Sequence, residues 1–118
     1  MDPNEAAALA QSWLEAWNAH DVEAVLAHFH DDVEFTSPVA ARLVPDSGGR
    51  IHGKAALRAY WEEGLRRLPD LHFELEGLYL GVDTLVIHYR DERGGVVAEG
   101  LRFGDGPLAI EGHAAYGA

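Results

Sequence analysis

The residue pattern predicts a single α+β domain in which three amphipathic helices cover the concave face of a cone-shaped, curved antiparallel sheet and enclose a pocket. Three observations predict it. The 118 residues match the usual size of one domain. Helical spacing of apolar residues is confined to the stretch before Pro69. From residue 72 onward, alternating segments and turn residues describe a four-strand meander, and helices segregated from such a meander mean α+β. With no linker, internal repeat or low-complexity tract, residues 1–118 read as one domain.

The first helix is signalled by Asp2 as cap, Pro3 at its first position and Glu5 where a capping acid belongs. Leu9, Trp13, Ala16 and Trp17 then recur at helical spacing. Asn18, Ala19 and His20 end it. Asp21 caps a shorter helix whose Val22, Val25, Leu26 and Phe29 share a face. His30, Asp31 and Asp32 read as a polar turn before a strand at residues 33–37. Residues 38–52 hold two prolines and the Ser47-Gly48-Gly49 break, which predicts an irregular loop. The third helix runs from about Lys54 to Arg67 and buries Leu57, Tyr60, Trp61, Leu65 and Leu68. Glu62 and Glu63 precede Arg66 and Arg67 by four residues, the favourable order for surface ion pairs. In the meander, Gly77 marks a bulge, and residues 84–90, apolar on both faces, form a central strand. Segments 96–103 and 108–116 follow, and Phe73, Leu75 and Leu101 are expected to face the helices.

Composition narrows the function. Acidic residues number 20 against 9 basic, a formal net charge of −11, which disfavours nucleic acid and anionic membranes as partners. No apolar run is long enough for a transmembrane helix, and no basic-then-apolar leader is evident at the N-terminus. The absence of cysteine removes disulfides, thiolate metal sites and thiol nucleophiles, and fits a cytoplasmic setting. His28, His30, Asp31 and Asp32 lie close in sequence but lack a well-spaced third ligand, so they read as a solvated turn and no metal is implied. There is no phosphate-binding loop, dinucleotide fingerprint or nucleophile elbow, and no cofactor is implied.

A turn centred on Arg93 and Gly94 would set Glu92 opposite Gly95 and His88 opposite Glu99. Directly opposed residues share a sheet face with Cβ atoms about 5 Å apart. Glu99 alternates with Val97, Leu101 and Phe103, the cavity side. His88 and Glu99 are therefore expected to meet in an apolar pocket as an acid–base pair: burial raises a carboxyl and lowers an imidazole, their attraction opposes both shifts, and either group can then hold or release a proton near neutrality. A self-satisfied buried pair has the same signature, a slip of one residue separates the two, and Arg90 offers Glu99 a diagonal salt bridge. Trp13, Tyr60, Trp61 and Tyr116 are expected to hold a flat, small hydrophobic ligand, with Trp17, Phe35, Ser37, Phe73 and Leu101 completing the lining. Leu85, Ile87 and Tyr89 then fall on the opposite face as an uncovered apolar strip, which suggests a homodimer through the outer sheet face.

The run Trp17-Asn18-Ala19-His20-Asp21-Val22-Glu23-Ala24-Val25 leads through His30-Asp31-Asp32-Val33-Glu34-Phe35 to Ser37-Pro38. Ile51-His52-Gly53-Lys54-Ala55-Ala56-Leu57 and Tyr60-Trp61 follow. This resembles the SnoaL-like branch of the nuclear transport factor 2-like superfamily, which includes polyketide cyclases and ketosteroid isomerases. The resemblance spans nearly the whole chain and implies the cone fold, a pocket and a dimer; it is less specific for activity. Position by position, the isomerase's carbonyl-polarising tyrosine falls on Trp13, and its general-base aspartate falls on Ser37, just before Pro38. Its second, protonated acid falls on Glu99, and its cavity aromatic on Tyr116. With two of three chemical positions changed, steroid isomerase activity is not expected. The Asp-Arg-Asp relay of limonene epoxide hydrolases cannot be placed. Three readings stay open: a cofactor-independent isomerase or cyclase acting on a hydrophobic carbonyl compound, a binding protein with the same pocket, and a protein-interaction module.

Overall fold

The structure is a computed structural model describing residues 1–118. Helix α1 spans Pro3–Asn18, and the Asp2 carboxylate accepts the Glu5 N–H at 2.8 Å, satisfying one of the amides a helix start leaves unpaired. Ala6, Ala10, Trp13, Leu14 and Trp17 form its buried stripe. Asp21 caps α2 (Val22–Leu26) in the same way. Strand β1 (Phe29–Thr36) begins earlier than the pattern predicts. Phe29 joins the strand rather than the helix face, and the acidic turn becomes its exposed first half.

The stretch expected to be an irregular loop is ordered. It forms a short helix α3 (Pro38–Leu43), a single 3₁₀ turn (Pro45–Ser47) and a three-residue strand β2 (Arg50–His52). Pro38 starts a helix here instead of only ending a strand, because Ser37 caps it by accepting the Val39 N–H at 3.1 Å. Helix α4 (Lys54–Arg67) buries Leu57, Tyr60 and Trp61, and both arginines of its last turn pair with Glu63. The meander is β3 (Glu74–Leu80), β4 (Thr84–Arg90), β5 (Val96–Phe103) and β6 (Ala109–Tyr116). There are thus four helices, not three, over one open six-stranded sheet in the order β2-β1-β6-β5-β4-β3. The sheet is antiparallel except between β1 and β6, which run parallel. At that junction Gly112 lets β1 approach: a Cβ there would meet Phe35 at 3.0 Å and Phe29 at 3.3 Å.

The register of the β4–β5 hairpin departs from expectation by one residue. His88 lies opposite Ala98, and Glu99 lies opposite Ile87. The cause is the turn. The Asp91 carboxylate accepts the N–H groups of Arg93 and Gly95, and Gly94 adopts φ 82°. Asp91 and Gly95 therefore close a three-residue loop, where a two-residue turn was expected. This odd count turns β4 over relative to the prediction. Leu85, Ile87 and Tyr89 face the helices and are buried, so they are not an uncovered strip. Thr84, Val86 and His88 occupy the outer face, with His88 beside the exposed Tyr79 ring at 6.2 Å. The Gly77 bulge is present, and Leu75, expected in the core, is exposed next to it.

Charged side chains spread over the outer face in matched sets. Glu34 takes Arg50 and His52 at 3.2 and 2.9 Å, and Glu76 takes Arg90 at 2.9 Å. Arg102 pairs with Glu111, which also meets His113 at 2.9 Å; His113 contacts the Thr36 hydroxyl at 2.6 Å.

Candidate functional site

A cavity of about 110 Å³ lies between α4, the end of β1 and the concave face of β4, β5 and β6. Each wall follows from local sequence. Trp17 comes from the last turn of α1, Tyr60 and Trp61 from the buried stripe of α4, and Phe35 and Ser37 from the end of β1. Phe73 precedes β3 and is fixed by Asn18, whose side-chain amide donates to the Phe73 carbonyl at 3.0 Å and accepts its N–H at 2.7 Å. Next to it, the His20 ring meets the Leu71 carbonyl at 2.9 Å. The polar residues that end α1 thereby hold the segment that seals this side of the cavity.

Glu99 is the ionisable group of the interior, 3% exposed and lining the cavity. The Tyr89 hydroxyl donates to its Oε1 at 3.0 Å. Burial raises the Glu99 carboxyl from the ordinary 4.5 to about 7, although the Tyr89 hydrogen bond favours the charged form and opposes the shift. Tyr89 is pushed well above its usual value, first by its own burial and then by the charge of Glu99. A second polar group surrounds Ser37, whose Oγ accepts from the Tyr60 hydroxyl at 3.4 Å. Tyr116 stands on the same cavity wall. The residue is 45% exposed at the rim, while desolvation of its hydroxyl, reinforced by the Glu99 charge, pushes the phenol to about 12. Glu99 also raises Tyr60, after burial as the larger cause, so both phenols sense this carboxylate.

Four sequence expectations need correction. His88 does not meet Glu99: the one-residue shift places it on the outer face. Trp13 is 0% exposed and does not line the cavity; it packs behind the wall, 5.6 Å from Tyr89 and 6.3 Å from Phe73 between ring centres. Leu101 is likewise fully buried in the core. Arg90 engages Glu76 and the Gly94 carbonyl on the outer face and does not neutralise Glu99. Tyr89, the residue that contacts Glu99, points outward in the register of a two-residue turn and inward in the observed one. The available signal was Asp91 together with Gly94, a pattern suited to a loop of three residues. His28, taken as part of a solvated turn, has a half-buried ring 3.2 Å from the Ser12 hydroxyl.

The arrangement can therefore exchange a proton at one wall, where a carboxyl is poised near neutrality, and donate hydrogen bonds from phenols at another. No helix is long and apolar enough to cross a membrane.

Comparison with known proteins bears on the fold and the family. No functionally curated protein shows significant sequence similarity to the chain. Among solved structures, a SnoaL-like protein of unknown function from Burkholderia thailandensis is 38% identical and superposes with a TM-score of 0.93, covering 99% of this chain and 98% of that one. AclR from Streptomyces galilaeus, a candidate hydroxylase, is 20% identical with a TM-score of 0.75 over 98% of this chain and 91% of its own. A candidate ketosteroid isomerase from Kribbella flavida is 18% identical with a TM-score of 0.73, covering 98% and 79%. At those identities the last two show a shared fold alone. The SnoaL-like domain profile matches residues 10–116, and with the 38% identical structure it establishes that the chain belongs to the SnoaL-like family.

Proposed function

We propose that the protein is a cofactor-independent isomerase or cyclase that moves a proton at a carbon next to a carbonyl, with Glu99 as the base. The observation that carries this reading is a carboxyl 3% exposed, facing a cavity and raised to about 7. A carboxylate in that range takes up a proton far more readily than an ordinary one and still releases it near neutral pH. In its anionic form Glu99 removes the proton from the α-carbon, and the electron pair moves onto the carbonyl oxygen as an enolate. The Tyr60 and Tyr116 hydroxyls, gathered at Ser37, turn from it and donate to that oxygen. Protonated Glu99 then returns the proton to another carbon, which completes an isomerisation. Alternatively, the enolate carbon adds to a second carbonyl carbon in the same molecule; the C=O π bond breaks, its oxygen takes the proton held by Glu99, and a ring closes. Tyr89 keeps the carboxylate oriented throughout.

The test is exchange of α-hydrogens for deuterium in cyclic ketones, followed by NMR in D₂O. The expected result is catalysed exchange that Glu99→Gln reduces by about a hundredfold or more, the usual contribution of a positioned base. Exchange no faster than in buffer would return the cavity to a binding role without turnover, and equal catalysed exchange by both proteins would remove Glu99 as the base.

The outer sheet face is the surface we assign to self-association. On a chain of net charge −11 it groups Arg50, Arg90 and Arg102 with matching acids, so two copies meet there with least repulsion. Sedimentation at low ionic strength should give a dimer, and Arg102→Glu should shift it toward monomer.

A further inference from the structure

The size and the fixed walls of the cavity carry a statement about substrate class. This inference rests on the acid–base reading of the same site. A core cavity of about 150 Å³ accommodates one benzene molecule. The space here is of the same order, about 110 Å³, and it opens to solvent beside the exposed Arg93. Its walls do not recede easily, because every lining ring except Tyr116 packs against another. Phe73 and Tyr89 stack at 4.2 Å between centres, with Trp13 behind both. On the opposite side Trp61 is held edge-on by Trp17 at 5.0 Å and by Phe35 at 5.4 Å. In an interior packed this closely, moving one ring displaces the next.

Charge narrows the class further. The cation on the cavity's lining, Arg93, sits at the exposed mouth and is already paired with Glu92 at 3.6 Å. Asp91 beside it is occupied by the turn amides. An anionic substituent would face Glu99 inside and an acidic protein outside, and Arg42, the unpaired cation whose field reaches the Tyr60 and Tyr116 hydroxyls, is exposed and stands outside the lining.

We propose that the cavity selects a neutral carbonyl compound of a single six-membered ring and rejects fused polycyclic ketones. The ring lies between Trp61 and Phe73, with its oxygen toward Ser37 and its acidic carbon toward Glu99.

The test measures binding by quenching of tryptophan fluorescence and by NMR line broadening. The probes are 2-cyclohexen-1-one, 1-tetralone and a tetracyclic steroid enone. Water-to-oil transfer alone would make the larger compounds bind more tightly. The expected result is the reverse order, with the two larger probes at least about tenfold weaker than the single ring, a difference well within what a filled, rigid pocket enforces. Phe73→Ala removes a wall and should bring 1-tetralone to within about threefold of the single ring. Leu65→Ala, at the partly buried end of the lining, provides a milder enlargement that leaves the ring stack intact and should act in the same direction. Equal or tighter binding of the polycyclic probes by the unaltered protein would overturn the proposal, as would failure of the single ring to bind or of both enlarged variants to gain the bicycle. The catalytic reading fails separately. If the size order holds in both the unaltered protein and Glu99→Gln while deuterium exchange is absent, the size selection stands and the proton-transfer role falls. If a steroid enone exchanges in a Glu99-dependent way, the reverse follows.

Discussion

Replacing Glu99 by Gln keeps the shape of the side chain and removes its ability to ionise, so the cost of holding this carboxyl in the core becomes measurable as stability. The folded protein raises the group from 4.5 to about 7 and therefore retains its proton to higher pH than the unfolded chain does. Between those values the folded state binds more protons, so raising the pH through the window weakens it. At about 1.4 kcal/mol per pH unit, the wild-type protein loses about 3 kcal/mol by the time both states are ionised. Glutamine escapes this loss, and its side-chain carbonyl still accepts from Tyr89. Urea unfolding of both proteins from about pH 4.5 to about pH 8 should show them within about 1 kcal/mol of each other at the acid end, with the variant about 3 kcal/mol more stable at the alkaline end. Taking the difference removes contributions common to both chains. These include His28, lowered by burial, and Glu23 and Glu111, lowered chiefly by their arginine partners. A difference that stays flat across this range would refute the claim that burial, unrelieved by any cation, sets the state of Glu99.

Three further outcomes follow from the same geometry. Tyr89→Phe removes the hydrogen bond that favours the Glu99 anion, so the carboxyl should titrate above about 7 when followed by its side-chain ¹³C shift. His88→Ala should leave both that titration and deuterium exchange unchanged, because the imidazole lies on the outer face; a displaced Glu99 titration would restore the discarded register. Asn18→Ala leaves both backbone groups of Phe73 without their partner and should cost about 1–3 kcal/mol in urea unfolding, with weaker binding of single-ring ketones because that wall loosens.

The fold was legible wherever a pattern was long and repeated. Asp2, Pro3 and the tryptophan-bearing stripe mark α1; Leu57, Tyr60 and Trp61 mark α4; an apolar run bounded by turn residues marks β4, and the return segment after Gly95 marks β5. The segment between Pro38 and His52 was not legible, because six helical residues and three strand residues are too short to show a period, and its prolines read first as breakers. Glu99 could be placed on the cavity side because Val97 and Leu101 share its parity on its own strand. Its partner could not be placed that way. Opposition across a hairpin depends on the number of residues in the turn, and Glu92, Arg93 and Gly94 supply one more than assumed. Parity within a strand is a local property, whereas parity between strands inherits any error in the loop that joins them. The same step misplaced Leu85, Ile87 and Tyr89. Long aromatic side chains were less sensitive: Trp17, Phe35, Tyr60, Trp61, Phe73 and Tyr116 all reach the cavity lining from separate elements, because each fixes its direction within its own helix, strand or loop.

The irregularity at Gly77 has a consequence at the boundary of the sheet. An open sheet exposes two margins, and β3 is the longer of them, seven residues bearing a row of unpaired amides and carbonyls. Such a margin is an invitation to fibril growth, particularly with Leu75, Tyr79 and Leu80 exposed along it. The extra residue between Leu75 and Gly77 breaks the straight run of backbone groups, and Glu74 and Glu76 place like charges where an incoming copy would have to align. The other margin, β2, is too short to template anything. A fold that leaves its cone unsealed to keep a hollow thus guards the open rim by making it crooked and charged.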